Sequence, residues 1–143
     1  MDISDELKKL VKAQIVIEEV NVKEAAETEE KLGNMAAKLL LHIIALDSQK
    51  HAYVLNGILE AAKDIPTSET LWEHKLDNYV DPFAAKQRLE KHIKREAQMI
   101  KYVDEESKLT KDEGLKTLLQ YIVEEEKKHH KMLETIIKHM PEK

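Results

Sequence analysis

Apolar residues recur every three or four positions from Leu7 to Leu32, and Leu7, Val11, Val22, Ala25 and Leu32 share one face, as in an amphipathic helix. Gly33 is a candidate left-handed stop and Asn34 a candidate N-cap, so the connection is short and the second helix returns antiparallel. That second helix carries Ala37, Leu41, Ile44, Leu55, Ile58 and Ala62 and ends before Pro66. From about Asp64 to Asp81 the period is lost. This stretch, with Pro66, Trp72 and Tyr79, reads as a crossover with a short helix near Thr67 to Lys75, pinned by Trp72 and Phe83. Asp81-Pro82 combines an N-cap with proline at the first helical position and starts a third helix bearing Leu89, Ile93, Ile100 and Val103, which ends near Lys108. Thr110 and Glu113 have capping-box spacing and open a fourth helix with Leu115, Leu119, Ile122, Leu133 and Ile136, closed by Pro141. Helices of about 26 to 30 residues are roughly 40 to 45 Å long. Two short connections and one long one predict a single all-α domain over residues 1–143, an antiparallel four-helix bundle with the crossover between helices 2 and 3.

The second helix is apolar on two sides. Leu39, Ile43, Leu46 and Tyr53 form a stripe away from the predicted core, and a helix with two apolar faces needs two partners. A homodimer through helix 2 supplies the second partner, and contact with the crossover would serve as well.

Composition narrows the function. Charged residues make up 36% of the 143, and Gly and Pro number 3 each, which excludes a membrane span and an all-β sandwich. With 23 Lys plus Arg against 28 Asp plus Glu, the net charge of −5 argues against a nucleic-acid partner and suits metal cations. The absence of cysteine removes a disulfide framework, a thiolate zinc site, an iron–sulfur cluster and a cysteine nucleophile together. The start of the chain carries Asp2, Asp5 and Glu6 where a targeting segment carries cations followed by an apolar run, so a cytoplasmic location is expected.

The two halves repeat. An offset of 78 residues carries Val11 to Leu89, Ile15 to Ile93, Leu41 to Leu119, Ile44 to Ile122, Leu55 to Leu133 and Ile58 to Ile136. The same offset carries Glu18 to Glu96, Asp47 to Glu125, Lys50 to Lys128 and His51 to His129. Glu18, His51, Glu96 and His129 lie in register with the apolar stripes, among them Ile44, Ser48, His51 and Leu55 on helix 2, and Glu126 joins them. Three carboxylates and two imidazoles would then face the interior, each costly to bury without compensation. A cation is the natural compensation, and carboxylate with imidazole suits iron, manganese or zinc. Glu126 and His129, three apart, can reach one metal cluster. The other histidines, His42, His74, His130 and His139, lie off these stripes and are expected in solvent. His92, one turn before Glu96, and Glu19, beside Glu18, are candidate replacement ligands.

In these residues the chain resembles the ferritin-like di-iron or di-manganese carboxylate proteins, which draw one Glu from each of two helices and Glu-x-x-His from each of the others. Glu125-Glu126-Lys127-Lys128-His129 is similar to the Asp-Glu-x-Arg-His variant of that motif, and Asp47-Ser48-Gln49-Lys50-His51 to a degenerate sister. Five of six ligands match, and Ser48 occupies the place of a bridging Glu. The resemblance implies that Glu18 and His51 hold one metal, Glu96 and His129 the other, and Glu126 bridges. Asp47 and Glu125 would each accept a hydrogen bond from the non-ligating nitrogen of a facing His; as bare helix residues they read equally well as solvated charges. The cofactor implied is a pair of iron or manganese ions, with zinc possible by substitution, and no haem or flavin.

Ferritin-like bundles of this kind, rubrerythrins among them, react iron with oxygen or peroxide. The expected function is therefore a redox reaction with oxygen or peroxide, or the oxidation of iron. Lacking a rubredoxin-type module, a peroxidase of this kind would take electrons from an external donor. The chain stops at Lys143, before the short fifth helix of cage ferritins, so a storage shell is not expected. With Ser48 in place of a carboxylate, His92 or Glu19 swings in, one metal position is weak, or an open coordination edge faces oxygen or peroxide. The alternative is a helical interaction module with a decayed or single-metal site and no catalysis.

Overall fold

The computed structural model describes residues 1–76 and 81–140, which form four helices and no strand. They are α1 (Asp5–Glu29), α2 (Met35–Asp64), α3 (Pro82–Lys108) and α4 (Glu113–Lys138). The chain divides into two compact units, Met1–His74 and Lys75–Lys143, so α1 packs with α2 and α3 with α4. No helix among the described residues is long and apolar enough to cross a membrane.

Capping sets the ends. Ser4 accepts from Leu7 N and Asn34 from Ala37 N, satisfying first-turn donors of α1 and α2, while Asp81 accepts from Phe83 N ahead of Pro82. Three expectations are corrected. Gly33 does not adopt a left-handed conformation: α1 is capped at Glu30, and the amides of Lys31 and Leu32 return to the carbonyls of Thr28 and Glu29, so the last turn tightens with no positive φ. The N-cap of α4 is Asp112, whose carboxylate accepts from Leu115 N at 2.8 Å; Thr110 caps Asp112 N instead, and Glu113 becomes the first helical residue. The expected short helix near Thr67 to Lys75 is a series of turns, in which Glu69 N reaches Pro66 O and Glu73 and His74 N reach Thr70 O. These isolated bonds do not repay helix nucleation. Trp72 and Phe83, expected to pin the connection, are about half exposed. Tyr79 and Pro141, assigned to the crossover and to the end of the fourth helix, lie outside the described residues.

Burial follows a regular seam in each pair. In the first unit it runs through Val11, Ile15, Glu18, Val22 and Ala25 of α1 and Leu41, Ala45, Ser48, Ala52, Leu55 and Leu59 of α2. In the second it runs through Leu89, Ile93, Glu96, Ile100 and Val103 of α3 and Leu119, Val123, Glu126, His130, Leu133 and Ile137 of α4. Steps of four and three alternate throughout, the spacing by which two helices interlock side chains along a shared stripe. The offset of 78 residues maps every seam position of one unit onto the other. In the first unit late α1 meets early α2: Glu29 contacts His42, Glu18 contacts His51, and Val11 and Ile15 pack with Leu55, Ile58 and Leu59.

The seam differs from the predicted stripes by one residue on α2. Ala45 and Ala52 turn inward while Ile44 is exposed, because two small side chains let α1 and α2 approach more closely than isoleucine and histidine would. On α4 the half-buried seam position is His130, expected in solvent, whereas Ile122 and Ile136 lie at the exposed edge. The outward stripe of α2 is open: Leu39 and Leu46 are exposed and Tyr53 is 81% exposed.

Candidate metal centre

The second unit brings three of the expected ligands together. Glu96 of α3 and Glu126 and His129 of α4 each offer a ligand atom within 4.8 Å of the others. Glu96 and Glu126 occupy seam positions, so the packing that buries Val103, Leu119 and Leu133 also drives both carboxylates between the helices. Glu96 is only 7% exposed. Its Oε1 accepts from His92 Nε2 at 2.8 Å, one turn earlier on α3, while its Oε2 is fully buried and has no hydrogen-bond partner among the described residues. A buried oxygen without a partner costs about 1–3 kcal/mol, more when charged, and natural structures rarely retain one without a function.

His129 sits at the edge, its side chain 44% exposed, with Nδ1 3.9 Å from Glu96 Oε1 and Nε2 3.9 Å from Glu125 Oε2. Each ring nitrogen faces a carboxylate at the same distance, longer than a hydrogen bond. Glu125 thus stands by the histidine of its own helix, one turn away, and also accepts from Lys128 Nζ at 3.4 Å.

The corresponding residues of the first unit are arranged differently. His51 Nδ1 donates to Glu18 Oε2 at 3.0 Å, closing the two expected ligands on each other. The His51 side chain is 63% exposed rather than inward, because the seam passes through Ala52, one residue and about 100° further round the helix. Ser48, in the place that Glu126 holds in the other unit, is 6% exposed. Asp47 accepts from Lys50 Nζ at 2.9 Å, and Glu19 is exposed, away from Glu18 and the seam. The expected five residues are therefore found as a pair, Glu18 with His51, and a trio, Glu96 with Glu126 and His129.

The trio fits a cation. Two carboxylates and an imidazole, with no thiolate, form a donor set for iron or manganese, and also for zinc. The buried Glu96 oxygen without a partner is a group that such an ion would satisfy. His92, a candidate replacement ligand by sequence, is instead found bonded to Glu96, as its spacing of four on one helix allows. Neither a family model, nor a curated protein, nor a solved structure matches the chain.

Proposed function

We propose that this chain is a ferritin-like metal protein, an antiparallel four-helix bundle whose iron or manganese centre reacts with oxygen or peroxide or oxidises iron. Two observations carry the reading, the trio Glu96, Glu126 and His129 and the buried Glu96 oxygen that has no partner among the described residues. Bundle packing is supported by the apolar side chains left exposed on each helix pair, Ile17, Ile44 and Val54 on one and Leu115, Ile122 and Ile136 on the other, a surface that a further helix pair would bury. Bound iron or manganese supplies the electron-transfer chemistry. The chain's part is to bind through Glu96, Glu126 and His129, to hold the His129 tautomer through Glu125, and to add Glu18 and His51 for a second ion. Reduction of peroxide to water takes two electrons and two protons, and an external reductant supplies the electrons.

The direct Glu18–His51 contact and the buried Ser48 favour a second reading, a helical interaction module with one stabilising ion. Metal analysis of protein purified without chelator separates the two. The redox reading expects close to two iron or manganese per chain and consumption of peroxide with a supplied reductant. One ion and no turnover supports the module. No metal, with a melting temperature unchanged on adding Fe(II), Mn(II) or Zn(II), overturns the redox reading and supports the module with its site fully decayed.

The open stripe of α2 is proposed as a contact with a second copy. Antiparallel self-pairing about Leu46 sets Leu39 against Tyr53 and the exposed Met35 against Gly57, over which a Cβ would meet nothing within 4 Å. Leu46→Glu is expected to convert a dimer into a monomer in sedimentation without loss of helix content. A wild-type chain that sediments as a monomer would rule out this contact.

A further inference from the structure

We propose that His92 is a positioning residue of the metal centre: by donating its Nε2 proton to Glu96 Oε1 it fixes the carboxylate and leaves Oε2 as the oxygen still open to a cation. The inference rests on the metal reading above and assigns a role that the expected ligand set leaves empty. The geometry separates positioning from ligation. His92 Nε2 lies 2.8 Å from Glu96 Oε1, a normal hydrogen bond, yet His92 is not part of the group whose ligand atoms gather within 4.8 Å. A carboxylate oxygen only accepts, so the proton of this bond belongs to the imidazole and Nε2 has no lone pair to give a metal. The two oxygens of Glu96 are thereby made unequal, one satisfied by His92 and one buried and bare.

Without His92 the Glu96 carboxylate could rotate and offer either oxygen, and the ordering would have to come from the binding energy of the ion. His92 is placed to do this at little structural cost. It lies one helical turn from Glu96, so backbone geometry alone brings the two together, and its side chain is about half exposed, so the core does not depend on it. Its counterpart under the 78-residue offset is Gln14, which is exposed, and the first unit's Glu18 is held by His51 instead. Among the described residues, the second unit's carboxylate is the one with a partner outside the ligand group.

The test uses the full chain and Co(II), whose visible absorption reports the number and kind of its ligands. Two variants separate the roles: His92→Leu, which keeps bulk and removes the donor, and His92→Gln, whose amide places an N–H near the position of Nε2. His92→Leu is expected to weaken Co(II) binding about 10–100-fold, the range for loss of a partner that orients a ligand. His92→Gln is expected to recover most of that affinity with the wild-type absorption bands. Metal-free His92→Gln should melt near wild type, and metal-free His92→Leu a few degrees lower, because it leaves Glu96 Oε1 without its donor. Wild-type affinity in His92→Leu, or no recovery in His92→Gln, overturns the role. Recovered affinity with altered bands in His92→Gln identifies His92 as a ligand and overturns positioning in its favour. If the wild-type chain itself gives no Co(II) bands, the metal reading fails first.

Discussion

Glu96→Leu is expected to raise the melting temperature of the metal-free protein while abolishing its affinity for Fe(II), Mn(II) and Co(II). The two effects share one cause. Glu96 occupies a seam position between Ile93 and Ile100, 7% exposed, with one oxygen bonded to His92 and the other without a partner. Leucine suits that position, and removing the orphaned oxygen recovers about 1–3 kcal/mol. For a chain of this size each kcal/mol corresponds to about 2–4 °C. On the proposed reading the gain exists only without metal, since a bound ion would stabilise the wild-type protein through the same carboxylate. Glu126→Ala should lose metal affinity by more than about 100-fold, beyond the effect of an outer partner, but without the rise in stability, because Glu126 is only half-buried. Calorimetry of chelator-treated proteins, followed by metal titration, measures both quantities. A destabilised Glu96→Leu would show that the carboxylate serves the fold. Unchanged metal affinity in either variant would remove that residue from the site.

Ser48→Glu should have the opposite signature. Ser48 lies on the α2 seam between Ala45 and Ala52, and the 78-residue offset places it where Glu126 stands on α4. The added carboxylate would give α1–α2 the same donor types that α3–α4 already carries. Burying it without a cation costs several kcal/mol, so the metal-free variant is expected to melt well below wild type. Added Fe(II) or Mn(II) should restore the loss, raise occupancy of the weaker metal position and change the rate of peroxide consumption. Elemental analysis and melting curves with and without metal, on wild type and variant together, provide the check. A destabilised variant with unchanged stoichiometry and turnover would show that this position does not limit the chemistry.

These contrasts rest on features of different legibility. Four helices, their approximate spans and the caps at Asn34 and Asp81 could be read directly, because capping and amphipathic period are local properties of the chain. The repeat was equally plain, and its polar members Glu18 and Glu96 do lie on the seams. Which of two neighbouring residues turns inward was not legible on α2, since apolar side chains cover most of its circumference and periodicity cannot choose among overlapping stripes. The chain by itself determined the helices, the repeat and the register that sets Glu18 and Glu96 on the packed faces. Tertiary structure alone decided that Ala45 and Ala52 rather than Ile44 and His51 line the seam, that Glu18 closes on His51, and that His92 takes one oxygen of Glu96 and leaves the other bare. The reason is that helix period defines a face only to within about 100°, one residue's turn, whereas the close approach of two helices selects the small side chain and, with it, the rotation of every polar group on that helix.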